Sequence, residues 1–119
     1  MNSNDVVVIS GARTPMGRFG GTLKDIPAFD LGGFAIAEAL KRANLEGEAM
    51  DDVILGSCRQ AGNGPNPSRS AALQGGIPIF VPTITLNMAC PSGMRALSMA
   101  SQSIRLGMQK RLWLAVLTA

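Results

Sequence analysis

The 119 residues suffice for one small domain, and 46% hydrophobic against 16% charged residues is a globular balance, unlike that of a disordered chain. The net charge is only +3, Lys110 and Arg111 supply two of those charges, and no basic run interleaved with aromatics occurs, so no nucleic-acid partner is expected. The absence of histidine excludes a Ser–His or Cys–His catalytic pair, or a His-ligated metal, formed within this chain.

The opening MNSNDVVVIS has neither a basic n-region nor a long apolar h-region, so no signal peptide is expected. Val6–Ile9 is a β-branched run closed by Gly11 and predicts a strand buried on both faces. A Gly-, Arg- and Pro-rich loop, GARTPMGRFGGTLKDIP, follows. Asp30 is then placed to cap a helix over 31–43, with Lys41 and Arg42 near its C-terminal end. Gly32 and Gly33 each cost that helix about 1 kcal/mol against alanine, which implies compensating close packing. Val53–Gly56 predicts a second buried strand. After the loop QAGNGPNP, Asn66 caps a short helix with Pro67 at its first position, covering 68–74 and stopped by Gly75 and Gly76.

Thr83–Asn87 predicts a third strand, and a helix then runs through Met94, Leu97, Ala100 and Ile104 to Gly107. Strands alternating with helices imply an α/β layered fold. Cys58 and Cys90 match neither a metal spacing nor a disulfide framework, and the apolar stretch 112–119 is too short to span a bilayer. The expected setting is therefore reducing and cytoplasmic, without a membrane partner.

Cys90 is the residue best placed for chemistry. It stands between a strand and a helix, in NMACPSGMRAL, where helix N–H groups favour a thiolate. Ser92 and Gly93 keep that turn small, leaving backbone amides room to approach a ligand. The blander alternative is that Cys90 is a small buried hydrophobe. Cys58, in a strand-end loop, reads as packing. Arg13, Arg18 and Arg69 suit solvated or interface roles better than phosphate binding. Met88, Met94 and Met99 read as core in preference to tunnel lining.

In order along the chain, ISGARTPMGRFGG, DLGGFAIAEAL, DDVILGSCRQAGNGPNPSRSAAL and PTITLNMACPSGMRAL resemble successive segments of the thiolase family, the acetyl-CoA acetyltransferases and 3-ketoacyl-CoA thiolases. The resemblance covers residues 5–107 almost without gaps. It implies a layered α/β fold with a mixed sheet. It also implies that Cys90 takes an acyl group from an acyl-CoA before Claisen condensation or, in reverse, thiolysis of a 3-ketoacyl-CoA. Acyl-CoA and acetyl-CoA are then substrates, and neither a cofactor nor a metal is required. Asn66 and Arg69 fall in a segment that resembles the family's dimer interface, and the intact enzyme is expected to be a homodimer or tetramer.

The chain also departs from the family. Thiolases are several times longer, use a histidine from a Gly-His-Pro motif to activate the cysteine, and carry a second, late cysteine as acid/base. Residues 1–107 are therefore read as a partial N-terminal domain, expected to be inactive alone, and 108–119 as a divergent tail. With compatible codons, shifting the reading frame by one base near codon 107 turns MQKRLWLAVLTA into DAEEVVAGGSDS, close to the family's continuation. As given, Trp113–Leu117 remains apolar and able to pair with the sheet. A non-catalytic interaction module, a pseudogene product and a ketoacyl synthase relative are the alternatives.

Overall fold

The computed structural model describes residues 5–110 and, as backbone, 112–117. Its elements are α1 (Ala28–Ala43), β1 (Asp52–Ser57), α2 (Pro67–Gln74), β2 (Thr83–Leu86), α3 (Ser92–Arg105) and β3 (Leu112–Leu117), with a single 3-10 turn at Gly47–Ala49. The strands form one sheet in the order β2-β1-β3. Both ladders are parallel: Val53 pairs with Thr83 and Gly56 with Leu86, while Asp52 pairs with Leu112 and Ser57 with Leu117. The α/β class is as expected, and the sheet anticipated as mixed has only parallel ladders among the described residues. The apolar tail does pair, through β3.

Parallel neighbours require crossover helices, and both faces of the central strand β1 are covered accordingly. Val53 and Leu55 point into a core shared with Ile36, Ala39 and Leu40 of α1, Ala71 and Ala72 of α2, and Met50, Ile77 and Val81 from the connections. By strand alternation Gly56 lies on the opposite face, under α3, where Ala96 and Ala100 are buried.

Helix α1 begins three residues before the expected start. Pro27, at φ −57° and ψ 146°, stands at the N-cap, and Asp30 falls inside the first turn without making a side-chain cap bond. Proline tolerates that position because its missing N–H would be unpaired anyway, and the Asp30 charge still opposes the helix dipole. The end is as expected. Asn44 is left-handed at φ 52°, its N–H reaches Lys41 O at 3.1 Å, and Leu45 N–H reaches Leu40 O at 3.1 Å, which is a Schellman closure. Arg42 pairs with Glu38 at 2.7 Å and holds that carboxyl below its ordinary value. Both helical glycines are buried. A Cβ on Gly33 would stand 2.6 Å from Gln74 Cγ, so α1 and α2 touch where the sequence implied close packing.

Asn66 caps α2 as expected, its Oδ1 accepting from Arg69 N–H at 3.2 Å. It also joins the helix to the sheet. Asn66 Oδ1 accepts from Thr85 Oγ1 at 2.5 Å and Asn66 Nδ2 donates to Thr83 O at 3.3 Å. Ser68 N–H donates to Thr85 Oγ1 at 3.1 Å. Asn66→Ala removes the cap and leaves these groups short of partners, so it is expected to cost about 1–2 kcal/mol. A lower urea midpoint at constant m is the reading that supports this, and an unchanged midpoint rejects it.

Burial raises the Asp52 carboxyl above its ordinary 3.8, opposed by a 2.7 Å bond from Val53 N–H. A raised carboxylate favours the folded state only while protonated. Its contribution is present below 3.8 and lost as pH climbs through the raised value. Asp52→Asn keeps the oxygen acceptor and removes the charge. Its stability relative to wild type is expected to rise with pH across that window and then level off, as measured by thermal unfolding at several pH values. A pH-independent difference contradicts this.

One expected strand is corrected. Residues 6–9 carry no ladder, and Val7, Val8 and Ile9 are 54, 79 and 68% exposed. A run with the composition of a buried strand still needs a hydrogen-bonding edge. Here both edges of β1 are taken, by β2 and by β3, and residues 6–9 pair with the outer edge of neither. The chain after the run is instead tied along α1, through Ser10 Oγ to Ala39 O at 2.7 Å and Arg42 Nη1 to Gly11 O at 3.0 Å.

Candidate active site

Cys90 lies in the short turn that joins β2 to α3, beyond the carboxyl ends of the parallel strands. That rim is where open α/β sheets present their ligand sites. The thiol is free and the residue exposed, as are all of residues 87–91, so Cys90 is not a buried hydrophobe. Pro91 occupies the N-cap of α3 and gives no side-chain cap bond, and the first turn carries no acidic residue. Helix N–H groups therefore stand next to Cys90 without an anionic side chain competing for them.

The turn is tightly bonded. Ala89, the residue before Cys90, is left-handed at φ 57°. Its N–H donates to Asn87 Oδ1 at 2.9 Å. Its carbonyl accepts from Ser92 Oγ at 2.6 Å and from Ser92 N–H at 3.1 Å, while Ser92 Oγ accepts from Met88 N–H at 2.9 Å. Asn87 Nδ2 reaches across to Cys58 O at 3.4 Å, which links this turn to the end of β1. Cys58 itself is free and half-buried, consistent with packing.

Ser92 and Gly93 have a different use from the one expected. Both are buried against β1. A Cβ on Gly56 would stand 2.7 Å from Ser92 C and 2.7 Å from Gly93 N. Their small size lets α3 descend onto the strand. The same close approach corrects the helix face. The buried residues of α3 are Ser92, Gly93, Ala96 and Ala100, whereas Met94 and Leu97 are 77 and 45% exposed. Only small side chains fit between helix and strand. Met88, 51% exposed, and Met94 therefore lie outside the core, and Met99 is half-buried.

The arginines also separate. Arg69 donates to the backbone carbonyls of Val81, at 2.7 Å, and Ile79, so its guanidinium ties down the connection before β2. Arg13 is exposed, donates to Thr14 O at 3.0 Å and lines a cavity of about 310 Å³ with Pro15, Leu23, Ile26 and Phe34. None of that cavity's lining belongs to the Cys90 turn. Arg18 is exposed on the same loop. Among the described residues no cluster of three or more His, Cys, Asp or Glu side chains forms a metal site, and no helix is long and apolar enough to cross a membrane.

The residues that build the turn, Asn87 and Gly56, were not singled out from sequence. An interior glycine in an apolar strand is a signal of close backbone approach, and an asparagine two residues before a turn position is a signal of local backbone bonding.

Comparison with known proteins gives a consistent result. The family profile described as "Thiolase, N-terminal domain" matches residues 6–116. An acetyl-CoA acetyltransferase of Cupriavidus necator is 46% identical over 103 residues, which are 87% of this chain and 26% of that protein. A mitochondrial acetyl-CoA acetyltransferase of Xenopus tropicalis is 45% identical over 107 residues, 90% of this chain and 26% of that one. The solved structure of an acetyl-CoA acetyltransferase from Syntrophomonas wolfei superposes with a TM-score of 0.82 at 37% identity, over 87% of this chain and 26% of that chain. The chain thus spans about a quarter of the length of these relatives.

Proposed function

The chain belongs to the thiolase family, matching its N-terminal domain, and on that premise we propose that Cys90 is the acyl acceptor of an acyl-CoA acyltransferase. The observation that carries this reading is the placement of an exposed free thiol at the start of α3, on the carboxyl rim of the parallel sheet. Cys90 Sγ attacks the thioester carbonyl, the bond from that carbon to the CoA sulfur breaks, and CoA leaves as its thiol. The acyl group then rests on Cys90 as a thioester. In the condensing direction the α-carbon of a second acyl-CoA, deprotonated by a base from another polypeptide segment, attacks that carbonyl and the Cys90 thiolate leaves; in the reverse direction CoA is the nucleophile that cleaves a 3-ketoacyl-CoA. Both tetrahedral states need hydrogen-bond donors aimed at the developing oxyanion.

With no histidine among the 119 residues, a Cys–His pair needs its base from another polypeptide segment. The partial step, acylation of Cys90, is the one this chain can be asked to perform. A reducing, cytoplasmic setting suits it, because the acylation step needs Cys90 as a free thiol. Phe19, Val8, Ile79 and Phe80 are 110, 79, 74 and 71% exposed, and such side chains suit contact with further thiolase polypeptide. Incubation with acetyl-CoA followed by intact-mass and peptide analysis tests the proposal. One acetyl group on the peptide containing Cys90 supports it, and an unmodified chain, or a label elsewhere, rejects it.

A further inference from the structure

The turn before Cys90 holds a backbone conformation that its sequence does not favour. A left-handed alanine is uncommon, because its Cβ crowds the backbone, and such a residue persists only where its surroundings over-determine it. Ala89 at φ 57° is such a residue, and its N–H, its carbonyl and the Met88 N–H are engaged by two side chains. Asn87 takes the Ala89 N–H at 2.9 Å, and Ser92 takes the Ala89 carbonyl at 2.6 Å while accepting Met88 N–H at 2.9 Å. Neither side chain is free to relax independently. Ser92 is 3% exposed and wedged against β1, and Asn87 is anchored to Cys58 O at 3.4 Å. One half of the grip is fixed to the end of β1 and the other to the base of α3.

We propose that Asn87 and Ser92 are positioning residues, which hold Ala89 left-handed and thereby aim the Cys90 thiol. The inference rests on the reading of Cys90 as acyl acceptor. It adds that the aim of the thiol is set by a two-point backbone clamp and is not a property of the cysteine or the helix end alone. Glycine adopts positive φ without strain, so the clamp should be dispensable once residue 89 is glycine.

The test uses the full 119-residue chain in a Cys58→Ser background, with acetyl-CoA as acyl donor and iodoacetamide as a reagent that needs no particular approach geometry. Asn87→Ala and Ser92→Ala are expected to lower the rate of Cys90 acylation about tenfold or more, with iodoacetamide alkylation changed less than about threefold, since misaligned attack penalises only the former. Adding Ala89→Gly to Asn87→Ala is expected to restore most of the acylation rate. Asn87→Asp keeps the oxygen acceptor for Ala89 N–H but loses the donor to Cys58 O and adds a negative charge near the thiol, so it guards against an unfolded alanine variant through the conformation of Ala89 and not through the rate. The 13C shifts of Ala89 read its conformation directly, moving from left-handed values in Asn87→Ala and staying there in Asn87→Asp. Unchanged Ala89 shifts in Asn87→Ala and Ser92→Ala, or no recovery with glycine, overturn the clamp. If wild type takes up no acetyl group while the Ala89 shifts respond as described, the clamp stands and the acyl-acceptor reading falls.

Discussion

Cys90→Ala abolishes acetyl transfer from acetyl-CoA to the chain and leaves its stability unchanged within about 0.5 kcal/mol. The two halves of this expectation have separate origins. The thiol is the atom that forms the acyl bond, so its removal takes away the covalent step itself. The side chain is exposed and no core residue packs on it, so its loss opens no cavity. Cys90→Ser should also fail, because a hydroxyl without a neighbouring base is a far weaker nucleophile and the chain has no histidine to supply one. Cys58→Ala should label normally. Mass analysis of all three variants, alongside urea unfolding, checks the set; labelling of Cys90→Ala equal to wild type would remove Cys90 from the chemistry.

A second large effect is expected at Gly56. An added methyl would meet main-chain atoms of Ser92 and Gly93 at 2.7 Å, and main chain cannot rotate aside as a side chain can. Gly56→Ala therefore forces α3 off the strand, at a cost of about 1–3 kcal/mol, and Gly56→Val costs more. The same displacement moves the base of the turn that holds Cys90. Acylation should fall by tenfold or more even at temperatures where the variant is fully folded. Gly33→Ala is the control. Its methyl meets the Gln74 side chain between α1 and α2, so it should destabilise the domain without slowing the labelling of its folded fraction. Equal loss of labelling in the two variants, at matched folded fraction, would contradict a specific link between Gly56 and the turn.

Much of this was legible in the sequence where one local signal sufficed. Asn66-Pro67 marked the start of α2 because cap and first-turn proline are decided within a few residues. The apolar run at residues 53–56 marked the central strand because both of its faces are buried. Cys90 was found by its place between a strand and a helix. What was not legible depended on distant partners. The run at 6–9 has strand composition, but pairing needs a distant sheet edge, and the run joins neither outer edge of this sheet. The outward face of α3 was misread because periodicity finds an apolar stripe without revealing how close the helix approaches the sheet. At contact distances fixed by Gly56, the smallest residues are buried and the methionines are not.

The register of β3 on β1 has a kinetic consequence. Asp52 pairs with Leu112, about 60 residues later in the chain, whereas the β1–α2–β2 unit joins Val53 to Thr83 across about half that distance. Closing the longer loop costs more entropy and is rewarded only after the shorter unit exists to receive it. Connectivity therefore favours an order of assembly in which β1, α2 and β2 condense first, and α3 then covers the opposite face while β3 adds to the free edge of β1. The reactive turn, strung between β2 and α3, is completed at the junction of the early and late halves. A newly made chain acquires a defined nucleophile only when α3 has docked on the paired β1 and β2.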